Sequence, residues 1–285
     1  MAKIITDDAT LRKYIPNVLA TVDDEAPLFD KLSPYLDVAE SWLIENVTGQ
    51  TVLDKIADGD RDTRFVNVAM IVVSHAFAMA IPSLDLVLTP NGFGIVSNTN
   101  VAPASKERVE RLINSLHVIK SQCLTTLLPM LRTDVDWHNS EQCRWLAESI
   151  IQDLNLAAKY GNKNGPYENC DTDRWGVFLT LRQQAYDIEQ EIANGWISPQ
   201  LMARLRKCEA TASYSNEIKS LISLIKGVIC DSFRTGILNY RLLDDAVSFI
   251  RSFPELFPEW HNSETAKLFN PPIFENEKKS GGYFF

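Results

Sequence analysis

The chain of 285 residues is long enough for one large domain or two smaller ones with hydrophobic cores. Its 37 Asp and Glu residues against 28 Lys and Arg give a net charge of -9, and the longest basic run is Lys278-Lys279. Because a protein that wraps nucleic acid needs a basic surface, this balance disfavours stable DNA or RNA binding and allows only passing contact.

The start of the chain predicts no targeting segment, since residues 1–5 run directly into Thr6-Asp7-Asp8. The most hydrophobic stretch, residues 65–81, is shorter than the about 20 apolar residues that span a bilayer, so it predicts a buried core helix. The five cysteines are odd in number and widely spaced, which suits a reducing compartment rather than a disulfide scaffold. We therefore expect a protein made in the cytoplasm, with no membrane contact.

Helical patterns cover most of the first half. Ser33-Pro34 is a typical helix start, with a capping serine and a proline at the first helical position, and Gly49 ends the amphipathic helix that follows. The helix over residues 65–81 is apolar on nearly all sides, which places it at the centre of a bundle, and Pro82 ends it.

The segment 86–98 does not have a helical pattern. Two β-prone runs flank Thr89-Pro90-Asn91-Gly92, and Asn-Gly favours a tight hairpin turn. We predict a short β-hairpin or an extended loop there. Residues 86–103, with Asn91 and Phe93, form a candidate contact loop, and the alternative is a rigid turn that only caps the bundle.

A long helix is predicted from about Ser105, with Pro129 kinking or ending it, and another from about residue 140 to 160. The polar stretch that follows, rich in Gly and Asn, is the best candidate boundary. The predicted regions are 1–160 (N-terminal helical region), 161–172 (linker or loop), 173–269 (C-terminal helical region) and 270–285 (tail).

Beyond the linker, Ser198-Pro199 repeats the helix-start signal, Gly236 ends a buried helix, and Pro254 and Pro258 break the pattern. The predicted fold class is therefore all-α: a multi-helix bundle with a short β-hairpin or extended loop and an extended C-terminal tail.

The tail, residues 270–285, has neither helical nor strand periodicity, yet it ends in three aromatic residues behind Gly281-Gly282. Aromatic anchors supply much of the binding energy at interfaces, so we predict a docking arm. The alternative is plain terminal disorder. The candidate interaction residues in the tail are Ile273, Phe274, Tyr283, Phe284 and Phe285.

No set of residues predicts an active site. His75 and His117 lie on or beside apolar helix faces, where a satisfied core histidine is the ordinary case. Asp136, His138 and Cys143 lie close in sequence, but their spacing matches no zinc signature and a second ligand pair is missing. We expect a protein that is not an enzyme and that has no cofactor and no metal.

Residues 88–109 read LTPNGFGIVSNTNVAPASKERV, a block that resembles one found in uncharacterised phage and prophage proteins of Bacteroidales hosts. That family is similar to head–tail connector, or adaptor, proteins. The opening, residues 4–8 followed by Leu11 and Tyr14-Ile15-Pro16, resembles the family's start. The aromatic end after residues 278–282 resembles its end.

The resemblance implies a virion structural protein, a head–tail connector subunit of the phage neck, made in the host cytoplasm. Such subunits form a ring, usually of twelve, beneath the portal, and commonly send a terminal arm into the neighbouring ring. The expected partners are other copies of the chain, the portal protein, and an adjacent neck or tail protein. DNA would only pass through the lumen.

Three other functions stay open. Another neck or tail-completion protein would differ only in its partners. A helical enzyme with dispersed site residues would be favoured by buried, mutually close ionisable groups in a cleft. A regulatory DNA-binding module is the least favoured, because the net charge is acidic and no basic helix is present.

Overall fold

The fold is a multi-helix bundle. A computed structural model describes residues 3–15, 27–84, 86–89, 92–95, 105–160 and 174–270. Apart from two short strands, the regular structure in these ranges is helical, so the predicted all-α class is confirmed. The predicted linker, 161–172, and the tail beyond Asn270 lie outside the described residues.

The first half of the chain opens with an extended segment and continues with six helices within the described ranges. These are α1 (Asp8–Tyr14), α2 (Leu28–Leu43), α3 (Gln50–Asp58), α4 (Thr63–Leu84), α5 (Lys106–Leu131) and α6 (Glu141–Leu146). A π-helical turn, Ile44–Thr48, joins α2 to α3, and a 3-10 turn, Trp137–Asn139, precedes α6.

Helix α4 is the centre of this half, since it packs against both α2 and α5. Within the described part of the chain it is the one helix long and apolar enough to cross a membrane, and 72% of that stretch is buried inside the protein. The burial agrees with the core helix predicted from residues 65–81. Pro82, predicted to end the helix, lies in its last turn.

Two strands follow α4. Strand β1 (Leu86–Thr89) pairs antiparallel with β2 (Gly92–Ile95), and the register sets Leu88 opposite Phe93. Asn91, in the predicted turn, lies outside the described residues.

The second half contains seven helices in its described ranges. These are α7 (Leu154–Tyr160), α8 (Arg174–Ile192), α9 (Pro199–Ala210), α10 (Asn216–Thr235), α11 (Tyr240–Ser252), α12 (Pro258–His261) and α13 (Glu264–Phe269). A π-helical turn, Ala193–Ile197, joins α8 to α9. The single helix predicted over residues 140–160 is wrong, because a non-helical stretch, 147–153, separates α6 from α7.

The two halves repeat one order of elements. Each has an extended segment, a short helix, a long helix, a π turn, a further helix, two antiparallel helices and a Trp-His-Asn-Ser-Glu motif. The motif occupies residues 137–141 and 260–264. We call residues 3–146 repeat 1 and residues 149–269 repeat 2. The boundary between them lies before α7, earlier in the chain than the predicted linker.

The motif closes both repeats with the same contacts. The buried indole Nε1 of Trp137 donates to the carbonyl O of Val47 at 2.8 Å, and that of Trp260 donates to the carbonyl O of Trp196 at 2.7 Å. Each acceptor is the fourth residue of its π turn. Further matched contacts are Gln142 Nε2 to Glu45 O with Thr265 Oγ1 to Asn194 O, and the ion pairs Lys55–Asp136 with Arg204–Glu259.

The residue after each π turn has a left-handed φ. Gly49 has φ 72° and Ser198 has φ 78°. Glycine adopts this conformation without steric cost, whereas serine does not. Ser198 is held there because its hydroxyl caps α9, accepting from the N–H of Leu201 at 3.3 Å. The predicted helix start at Ser198-Pro199 is therefore confirmed, whereas the start predicted at Ser33-Pro34 is wrong, because α2 begins at Leu28 and Pro34 lies inside it.

Replacing either motif tryptophan by phenylalanine leaves a buried π-turn carbonyl without its donor. We expect Trp137→Phe and Trp260→Phe each to lower the free energy of unfolding by about 1–3 kcal/mol. Urea unfolding followed by circular dichroism measures both, with Tyr186→Phe, at a side chain 46% exposed, as the control. A loss in only one of the two variants would contradict the equivalence of the repeats.

Candidate functional site

Repeat 1 packs on repeat 2 through a buried charged contact. Arg132, just after α5, donates to the carbonyl O of Gln152 and pairs with Glu209 of α9, with Nη1 and Oε1 3.3 Å apart. Lys226 of α10 also pairs with Glu209, at 2.7 Å. Burial lowers the pKa of Arg132, and the charge of Glu209 opposes this shift. Removing one partner would leave a buried charge uncompensated, so we expect the loss of either Arg132 or Glu209 to destabilise the contact between the repeats.

An aromatic cluster continues this junction. The ring centroid of Trp175 in α8 lies 5.6 Å from that of Trp42 and 6.0 Å from that of Trp145, so it contacts two elements of repeat 1. The guanidinium of Arg182 lies over the Trp145 ring, 3.9 Å from its centroid, and donates to the Trp145 carbonyl O at 2.7 Å. Burial lowers the pKa of Arg182 to about 10, so the side chain is still a cation at neutral pH.

The junction is not reciprocal. Trp145 follows the motif of repeat 1 and is packed at the junction, whereas Leu268, at the matching position of repeat 2, is 68% exposed. On the opposite face, Gln152 of repeat 2 is fully buried, whereas Thr6, its counterpart in repeat 1, is exposed. One face of a repeat therefore meets a different face of the next, which is a heterologous contact.

A buried glutamate holds the first segment of each repeat. Glu40 of α2 accepts a hydrogen bond from the backbone N–H of Ile4 at 3.1 Å, and Glu189 of α8 accepts one from that of Ile150 at 3.1 Å. Glu189 also pairs with Arg206 at 2.6 Å. A carboxylate in the interior is costly unless it is hydrogen-bonded, so each segment is tied to the long helix of its repeat.

The structure describes one of the predicted interaction residues. Phe93 lies in β2, in the contact loop predicted over residues 86–103. The others lie outside the described residues: Asn91, Ile273, Phe274, Tyr283, Phe284 and Phe285.

The β-hairpin belongs to repeat 1. Its long antiparallel helices, α4 and α5, are joined through residues 85–105, which include β1 and β2, whereas α10 and α11 of repeat 2 are joined by residues 236–239. Helix α5 has 26 residues and its counterpart α11 has 13. The added part, residues 85–116, which we call the hairpin arm, is thus an extension of the unit that both repeats share.

Residues considered as metal ligands take part in packing. His138 Nε2 is hydrogen-bonded to the carbonyl O of Arg132 at 2.7 Å, Asp136 pairs with Lys55, and Cys143 is buried in α6. In the part of the chain that the structure describes, no group of three or more His, Cys, Asp or Glu side chains could hold a metal ion.

One family model matches part of the chain. Residues 15–146 are similar to a family described as a family of unknown function (DUF6712). The match ends at the last residue of α6, which is also the end of repeat 1. No curated protein and no solved structure matches the chain.

Neither the duplication nor the junction between the repeats was predicted from the sequence. The duplication had a readable signal, because Trp-His-Asn-Ser-Glu occurs twice in the chain. The junction had none, since Arg132, Glu209 and Arg182 look like ordinary solvent-facing charges in a helical pattern. Only the packing of one repeat on the other buries them.

Replacing the two buried glutamates, Glu40 and Glu189, by glutamine should have different effects on stability. Glu189→Gln leaves Arg206, whose side chain is 12% exposed, without its charge partner, so we expect a loss of about 3–5 kcal/mol in the free energy of unfolding. Glu40→Gln keeps one oxygen that accepts a backbone N–H but puts an amide NH2 in place of the other acceptor, and we expect a loss of about 1–3 kcal/mol. Guanidinium unfolding measures both, with the exposed Glu264→Gln as the control. Equal losses would contradict the assigned role of Arg206.

Proposed function

We propose that the chain is a phage virion structural protein: a head–tail connector subunit that assembles as a ring, of about twelve copies as the resemblance implies, and docks to the portal. Its other expected neighbour is the next neck or tail component. On this proposal the protein is made in the host cytoplasm, resides in the virion neck, and performs no catalysis.

The heterologous junction between the repeats is the observation that carries this proposal. In the junction, one face of repeat 1 packs against a different face of repeat 2. The second kind of face therefore stays open on repeat 1, and the first kind stays open on repeat 2. Contacts of this type extend in one direction and give a ring when the rotation closes, or a filament when it does not. In this chain, the open faces carry the exposed Leu268 at one end and Thr6 at the other.

The contact between chains would not be a copy of the one within the chain. Glu255 stands at the position of Arg132, and Asp60 stands at that of Glu209, and both are exposed. Two carboxylates would repel where the buried ion pair attracts. A ring of this chain therefore needs additional contacts, and the hairpin arm and the tail are the segments that lie outside the unit common to both repeats.

The charge of the chain supports a role around DNA rather than on it. With a net charge of -9 the chain has no excess of basic residues to hold phosphates, so DNA that met it would pass without being bound. The resemblance over residues 88–109, which lie mostly in the hairpin arm, points to connectors rather than to other acidic helical proteins.

The mass of the purified protein in solution tests the proposal. We expect the full chain to form a ring, alone or with the portal protein of the same genome, in analytical ultracentrifugation and native mass spectrometry. A chain that ends at Phe269 should lose assembly or portal binding, because it lacks the predicted docking arm.

A full chain that stays monomeric at all concentrations and ignores the portal would overturn the connector assignment. A ring that forms but binds only a different neck component would favour a tail-completion protein instead. A shortened chain that behaves as the full one would remove the tail from the docking role and leave the hairpin arm as the candidate.

A further inference from the structure

The segments that open the two repeats are alike in sequence and burial. They read Lys-Ile-Ile-Thr-Asp at residues 3–7 and Ser-Ile-Ile-Gln-Asp at residues 149–153. The two isoleucines of each segment are almost fully buried. Each segment is followed at once by a seven-residue helix that ends in Lys-Tyr. We call this pair of buried isoleucines, Ile4 with Ile5 and Ile150 with Ile151, the plug of its repeat.

Both plugs lie in the same kind of site, which we call the opening site because it holds the segment with which a repeat begins. Its polar part is the buried glutamate of the long helix, Glu40 or Glu189, which accepts the N–H of the first isoleucine of the plug. The plug of repeat 2 directly follows the last helix of repeat 1. The chain thus passes from the end of one repeat into the opening site of the next.

A third such segment follows repeat 2. After α13 the chain reads Pro-Ile-Phe-Glu-Asn at residues 272–276. Ile273 follows Trp260 at the same sequence separation as Ile150 follows Trp137, so the position relative to the motif is also conserved. The tail therefore begins where a third repeat would place its plug, although no third repeat follows.

We infer that Ile273 and Phe274 enter the opening site of repeat 1 in a second copy of the chain, in place of that copy's Ile4 and Ile5. The inference rests on the self-assembly proposed above and names its contact. Within one chain, the segment that follows repeat 1 fills the site in repeat 2. The segment that follows repeat 2 would fill the same kind of site in repeat 1 of the next chain, with no covalent link between the two chains.

The chemistry of the site allows the tail to replace residues 3–7, but it favours residues 3–7 in a single subunit. Ile273 retains the backbone N–H that Ile4 gives to Glu40, but Pro272 has no N–H to replace that of Lys3. The chain's own segment is also favoured by its high effective concentration. The site is thus closed by residues 3–7 in a single subunit, and exchange is favoured only where a closed ring makes every contact simultaneously.

Photo-crosslinking from the tail tests the contact in the full chain. We replace Phe274 by the photoreactive p-benzoylphenylalanine, mix isotopically light and heavy chains, irradiate, and map the linked peptides by mass spectrometry. Links between light and heavy chains, from position 274 to residues 3–84 of the other copy, are expected. The same label at the exposed Tyr186 of α8 is the control and should not give those links.

A pair of double variants tests whether the plug is needed. Ile273→Asp with Phe274→Asp should abolish assembly at concentrations where the unmodified chain is assembled, while Ile273→Val with Phe274→Leu should retain it. Circular dichroism should be unchanged in both, since the substitutions lie outside the repeats.

The outcomes separate this inference from the function on which it rests. An unmodified chain that assembles, but links position 274 elsewhere or tolerates both aspartates, overturns the plug and leaves the connector proposal standing. Links within one chain only also overturn it. An unmodified chain that never assembles overturns both.

Discussion

The carboxylate of Glu189 constrains how the chain passes from one repeat to the next. It is fully buried, and a buried charge is tolerated only with hydrogen bonds or an opposite charge around it. It obtains these from Arg206, from the hydroxyl of Ser149 and from the N–H of Ile150. A helix running through residues 147–153 would use that N–H internally, so the chain must leave helical geometry there. The division between α6 and α7 follows from this requirement.

The helical content could be predicted from the sequence because it depends on local periodicity. The core helix α4, the helix start at Ser198 and the helix end at Gly236 each have a local cause: an apolar surface, a capping side chain or a residue that tolerates positive φ. The break before α7 has a cause distant in sequence, Glu189. A pattern of apolar residues read along residues 140–160 cannot reveal it, since Ile150 and Ile151 fit a helical stripe as well as a buried extended segment.

The duplication explains which contacts are general and which are particular to one repeat. Contacts of the motif tryptophan with the π turn recur, so they belong to the stability of the unit. Glu255 stands at the position of Arg132, and Ser33 stands at that of Arg182, so the contacts of these two arginines belong to the joining of two units. The candidate docking residues could be proposed from the sequence because they depart from the helical pattern. The open faces could not, because which side chains are exposed depends on how one repeat packs on the other.

The absence of a hairpin between α10 and α11 has a consequence for symmetry. In any closed assembly, the structural units would outnumber the hairpin arms by two to one, because each chain contributes two units and one arm. A partner that binds the hairpin arms would meet a rotational symmetry whose order equals the number of chains. A partner that rests on the helical body would encounter an approximate order twice as high. A single ring of this chain could therefore match two neighbours of different symmetry without deforming.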